Sequence, residues 1–155
     1  MDICRKYVEL HNKIKNIKIA MLTLHNESGK LRSMPMLTIK TECEGNIWFF
    51  TNLDSDKVNQ LRTNPEVNLS YSDQSSEVYV SVSGRAEIVE DKKLVKEFWK
   101  PDLEEWLSAG PESNDIALMK VEMVQAEYWN GNNMVQIWDT TDVVKTSNGI
   151  HDVFI

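Results

Sequence analysis

The feature that most restricts the folds open to this chain is a succession of β-rich runs, most of them joined by turns too short to hold a crossover. Parallel neighbours need a connection of a dozen or more residues, usually a helix, whereas antiparallel neighbours need only a hairpin. "IAMLTLHNESGKLRSMPMLTIK" reads as two strands around a polar Asn-Glu-Ser-Gly turn, where Gly29 can take the positive φ of a tight hairpin. "NIWFFTN", "EVNLSYSD" and "EVYVSVSGRAEIVE" follow, the last with Val78, Val80 and Val82 alternating against Tyr79, Ser81 and Ser83. "IALMKVEMVQAEYWNG" and "NMVQIWDTT" close the series around Asn130-Gly131-Asn132-Asn133, a second hairpin signal. About seven strands in this order predict an antiparallel meander or Greek key, and closing it into a small barrel would remove exposed edges.

The helices are peripheral. Ile3, Tyr7, Leu10, Ile14 and Ile17 lay one apolar stripe along an opening amphipathic helix. A short helix from about Ser55 to Thr63 has Ser55 as its cap and Pro65 beyond its end. "DKKLVKEFWK" is a third, stopped by Pro101, and "DLEEWLSAGPESND" gives a further helical turn running into a loop. At 155 residues the chain suits one domain over residues 1–140, with 141–155 as a C-terminal tail that is mobile or lies on a partner subunit.

Charge and composition exclude several classes. A formal charge of -7 leaves no basic stripe for nucleic acid and repels an anionic membrane surface, so anionic ligands must be captured locally. Neither a signal core nor a spanning apolar stretch is present, which predicts a soluble, cytoplasmic protein. Cys4 and Cys43 form no CxxC and have no zinc-like His spacing, so they read as two structural thiols without a bridge. His11, His25 and His151 are scattered, with no nucleophile elbow, Walker loop or Gly-x-Gly-x-x-Gly, and the carboxylates of "DLEEW" and "EIVEDKK" read as solvated faces.

The break after "NIWFFTN" is where chemistry can sit. Thr51, the capping hydroxyl of Ser55, the first amides of a helix and Lys57 are together the makings of an anion site, although the same residues also suit a plainly capped helix with a solvated lysine. Arg32 stands in an otherwise apolar run, "LRSMPML", where its head must reach solvent or a bound anion; it and Lys57 can converge on one phosphate. Met34, Pro35 and Met36 suit a flat ring or plain core. Of five tryptophans, Trp129 lies beside a hairpin turn, where it can cover a flat ligand, while Trp48, Trp99, Trp106 and Trp138 suit core or subunit packing.

Taken in order, "RSMPML", "FFTNLDSDKVNQLRTNPEVNLSYSD", "VSVSGRAEIVED" and "AEYWNG" resemble the pyridoxamine 5'-phosphate oxidase-like FMN-binding split barrels, in their general stress protein 26-like branch. The resemblance implies a mainly β fold, an antiparallel split β-barrel of six or seven strands with peripheral helices, and a homodimer with FMN in two clefts between subunits. It implies that Arg32 and Lys57 hold the FMN phosphate with Ser55 nearby. Ser33, Met34, Pro35, Met36 and Leu37 would run beneath the isoalloxazine, Phe50 and Thr51 would line the pocket, and Trp129 would reach the ring from the other subunit. Two departures stand out. Asp56 occupies the place of a second basic residue of the oxidase, and "NNMVQIWDTT" replaces its substrate-gripping Arg-Leu-His-Asp-Arg segment. The expected function is therefore a flavin-dependent oxidoreductase or reductase with a small-molecule electron donor or acceptor, not a true pyridoxamine phosphate oxidase. The alternative is a non-catalytic split-barrel module for flavin storage, ligand sensing or protein interaction. Haem or a deazaflavin in the same fold is a third option, and haem lacks a well-placed axial ligand, since His25 sits in a turn.

Overall fold

Buried and more exposed residues alternate along 19–25, 66–73 and 78–86, whereas 47–51 and 116–119 are buried throughout, and the two patterns together set the architecture. The computed structural model describes residues 3–107 and 109–139. In chain order these form α1 (Ile3–Ile14), β1 (Ile19–His25), β2 (Leu31–Glu42), β3 (Asn46–Asn52), α2 (Asp56–Thr63), β4 (Glu66–Asp73), β5 (Val78–Val89), α3 (Lys92–Phe98), a 3-10 turn at Pro101–Glu105, β6 (Ile116–Asn130) and β7 (Asn133–Asp139). All pairings are antiparallel, in the order β3-β2-β1-β4-β5-β6-β7, and a further pairing of β3 with β6 closes the first six strands into a barrel. β7 is an added strand on β6. The expected split-barrel fold is the one observed, and the expected tail lies outside the described residues.

Ala20, Leu22 and Leu24 of β1 point inward, facing Ile47 and Phe49 of β3, Leu69 and Tyr71 of β4 and Val80 and Val82 of β5 in one buried cluster. α1 adds Leu10 and Ile14 to it and α2 adds Leu61. The two helices sit toward opposite ends of β2: the Tyr7 hydroxyl donates to the Thr41 carbonyl (3.0 Å), and the Gln60 amide on α2 donates to the Glu27 carboxylate in the β1–β2 turn. A second cluster lies on the outer face of β3 and β6, where Trp48, Phe50 and Leu118 are covered by Val95, Phe98 and Trp99. Trp48 meets Phe98 edge-on at 5.4 Å between ring centroids, and Phe50 meets Trp99 the same way at 5.3 Å. β6 bulges at Val124, opposite Ser83 and Gly84 of β5, and a Cβ at Gly84 would run into the Glu122 carbonyl oxygen on β6.

One expectation changes. Cys43 is disulfide-bonded rather than a lone thiol. Disulfide pairing is a tertiary event that residue spacing does not encode. Trp106, expected in core or subunit packing, is 52% exposed in the single chain, because Leu103 takes the buried position of the 3-10 turn and leaves the indole outside.

Candidate functional site

β3 ends on Thr51 and Asn52, the chain turns through Leu53, Asp54 and Ser55, and α2 starts at Asp56. Alternation sends Phe50 outward and Thr51 inward, so a hydroxyl caps the apolar interior at the strand's end. Thr51 is 1% exposed and its Oγ1 has no hydrogen-bond partner among the described residues. Ser55 holds the N-cap position with extended backbone (φ -77°, ψ 148°), yet its side chain makes no capping bond. Its Oγ is likewise buried without a partner, which corrects the expectation that this hydroxyl caps α2. Buried hydroxyls without partners are rare in folded proteins, and two within five residues leave hydrogen-bonding capacity that a ligand or a water can fill.

Lys57 adds charge. It is partly buried and forms no ion pair among the described residues. Burial first, and the nearby Arg32 guanidinium second, hold its ammonium below the usual lysine range. Arg32 is paired across the hairpin with Leu24 and so projects toward the barrel's end. The structure thus brings Arg32 within electrostatic reach of Lys57. Glu27 is the acidic neighbour, its carboxyl held below the usual range by backbone and Gln60 hydrogen bonds and, least, by Arg32. Two cations and two unsatisfied hydroxyls around a helix start fit a phosphate, which accepts hydrogen bonds from all of them.

Beside this cluster lies a cavity of about 100 Å³. Pro35, Met36 and Leu37 of β2 form one wall, and Phe50, Thr51 and Lys57 another. Sequence reasoning missed Ile39, Asn52, Leu103, Trp106 and Leu107, which also line it. Ile39 was legible as the next outward position after Leu37 and Asn52 as the end of β3 beside Thr51; Leu103, Trp106 and Leu107 depend on where the 3-10 turn lands. Ser33 and Met34 lie elsewhere: the Ser33 hydroxyl is hydrogen-bonded to Thr23 Oγ1 at 2.7 Å on the outer face, and Met34 packs on the core. Trp129 is distant. Ala117 of β6 pairs with Thr51, and Trp129 follows twelve residues later, about 40 Å of strand path at roughly 3.3 Å per residue. Among the described residues no group of His, Cys, Asp and Glu could hold a metal ion, and no helix is long and apolar enough to cross a membrane.

Comparison with known proteins agrees with this fold. The chain is 31% identical over 134 residues to the Neurospora crassa protein bli-3, covering 80% of this chain and 64% of that protein. It therefore spans a little under two thirds of that relative. The structure superposes on a Clostridium acetobutylicum protein related to general stress protein 26 with a TM-score of 0.77 at 18% identity, over 90% of this chain and 98% of the other. On the general stress FMN/FAD binding protein of Xanthomonas citri the TM-score is 0.67 at 25% identity, over 82% and 89% of the two chains. Since the sequence pattern described as "Pyridoxamine 5'-phosphate oxidase like" matches residues 5–148 and thus runs through the whole barrel, the chain belongs to the pyridoxamine 5'-phosphate oxidase-like family.

Proposed function

We propose that this protein binds FMN and works in the cytoplasm as a flavin-dependent oxidoreductase of the general stress type, distinct from true pyridoxamine phosphate oxidases. One observation carries the reading: Thr51 Oγ1 and Ser55 Oγ are buried without partners next to a lysine whose proton is made costly by burial and by Arg32. An esterified phosphate relieves all three defects at once. When bound, the flavin supplies the electron transfer, and the chain's part is to anchor and orient it. Lys57 and Arg32 balance the phosphate charge, the two hydroxyls donate to its oxygens, and Pro35, Met36, Leu37 and Phe50 offer an apolar wall that excludes water from the ring.

The cavity is too small for a whole flavin, since ligand sites run to roughly 300 Å³ or more. This supports a cleft completed by a second copy of the chain. A patch fit for that contact exists on the outer sheet face. Met21, Ser70 and Ser81 form one cross-strand row and Thr23, Asn68 and Ser83 the next, without a charge among them. In such a homodimer, Trp129 of the second copy would supply the aromatic cover that its own protomer's geometry denies. A non-catalytic flavin store or sensing module is the second reading, favoured by the absence of carboxylate and imidazole groups from the cavity lining among the described residues.

The test is an absorbance spectrum of the purified protein before and after dithionite, with titration of FMN and riboflavin. FMN binding well above that of riboflavin is expected. Protein that carries no flavin and takes up no added FMN overturns both readings.

A further inference from the structure

Next to the cavity just described lies a larger one of about 280 Å³, between α1, β2 and the 3-10 turn. Leu37, Ile39 and Leu103 line both, so the two lie along one stretch of β2. Ile14 and Ile17 complete an apolar floor. The rim is cationic: Lys15, Lys18, Lys40 and Lys100 all line it, against a single carboxylate, Asp102. Lys15, Lys18 and Lys100 form no ion pair among the described residues, and Lys40 has only a distant contact with Glu42 (3.8 Å) and a place over the Phe98 ring at 4.8 Å.

This arrangement runs against the chain's charge. With 24 acidic residues against 17 lysines and arginines, partners for four lysines are plentiful, and random placement would mix the signs. Gathering four cations over an apolar floor costs mutual repulsion in the free protein and raises the local concentration of anions. Several ammonium groups suit a multiply charged head, as a phosphate monoester carries nearly two charges at neutral pH. The floor asks for an apolar or flat body attached to it, and the polar positions His11 and Thr41, already hydrogen-bonded at 3.2 Å, close one side.

We propose that this cleft is a binding site for a small organic phosphate, its body on Ile14, Ile17, Leu37, Ile39 and Leu103 and its phosphate among Lys15, Lys18, Lys40 and Lys100. The shared wall puts this ligand beside whatever fills the first cavity. The binding itself does not depend on the flavin reading.

AMP is the probe, with adenosine and inorganic phosphate as the two halves of its chemistry, each titrated calorimetrically into the full chain. AMP is expected to bind at least about tenfold more tightly than either half, and Lys18→Ala with Lys100→Ala to weaken it by about tenfold or more. Both lysines are exposed, so the double variant should keep the parent's thermal transition and its FMN affinity. Lys57→Ala separates the two sites: AMP binding should survive it. The proposal is overturned if AMP does not bind, if Lys57→Ala abolishes its binding, or if Lys30→Ala with Lys93→Ala weakens AMP as much as the Lys18 and Lys100 pair does.

Discussion

Replacing Lys57 by Met tests the phosphate site in two directions at once. Met keeps the length and apolar stem and removes the charge. In the free protein the ammonium is partly desolvated, lies near Arg32 and has no ion-pair partner, so its loss should raise stability. In the complex the same change removes a charge-assisted hydrogen bond, worth about 1.5–3 kcal/mol, which is roughly a 10- to 150-fold loss of FMN affinity. Riboflavin, which has no phosphate, should bind the variant as it binds the parent. The pH dependence follows from the lowered pKa. Between the folded value and the ordinary lysine range the unfolded chain holds more protons than the folded one, so stability of the free parent rises with pH across that window. Below the window the penalty of the charged form is fully present, and there Lys57→Met should show its largest gain. FMN affinity moves oppositely, falling as pH rises through the folded-state value, while riboflavin affinity stays flat. Calorimetric titrations with both ligands and thermal unfolding of the free proteins at several pH values read all of this. A variant that loses FMN and riboflavin equally, or that is less stable than the parent when free, refutes the assignment of Lys57 to a phosphate.

Ser55→Ala should cost the free protein less than the usual 0.5–2 kcal/mol of a lost N-cap, because its hydroxyl makes no capping bond, and should still weaken FMN binding several-fold; chemical denaturation and FMN titration check the two halves. Thr51→Val should stabilise the free protein by about 1 kcal/mol, since it removes a buried hydroxyl without a partner, and a lowered denaturation midpoint would contradict this. Gly84→Ala should destabilise by about 1–3 kcal/mol, because the new methyl meets a backbone carbonyl that no rotamer change can move, and thermal unfolding measures it.

The barrel was legible because β1, β4 and β5 write their burial in alternating residues. Val80 and Val82 against Ser81 and Ser83, or Leu22 and Leu24 against Met21 and Thr23, fix which face is inside before any partner is known. Hairpins were legible where a turn demands positive φ, as at Gly29 (78°) and Gly131 (64°). What alternation does not carry is the offset between strands or the bulges near Thr38 and Ser83. The site divides in the same way. Thr51, Ser55 and Lys57 are local in sequence and were read together, but a serine at a helix start also looks like a cap, and only the rotamer decides. Trp106 and Leu107 line the cavity through the placement of a 3-10 turn, and Cys43 is disulfide-bonded; both are tertiary facts with no local signature.

Asp56 raises the question whether a carboxylate beside Lys57 in sequence cancels the phosphate site. Neighbours in sequence at a helix start point in different directions, and here Asp56 is exposed while Lys57 is half-buried. An exposed carboxylate in the first turn is favourable to the helix by about 0.3–1 kcal/mol and acts on more distant charges through water and salt. Its effect on a phosphate held by Thr51, Ser55 and Lys57 should therefore be small. Asp56→Asn should raise FMN affinity no more than about fivefold at low salt, the upper limit matching about 1 kcal/mol, and the gain should fade at physiological ionic strength. Titration of FMN into parent and variant at two salt concentrations measures it. A gain well above tenfold that persists in salt would mean that the carboxylate faces the phosphate directly, and would shift the balance toward a barrel whose pocket has lost its flavin.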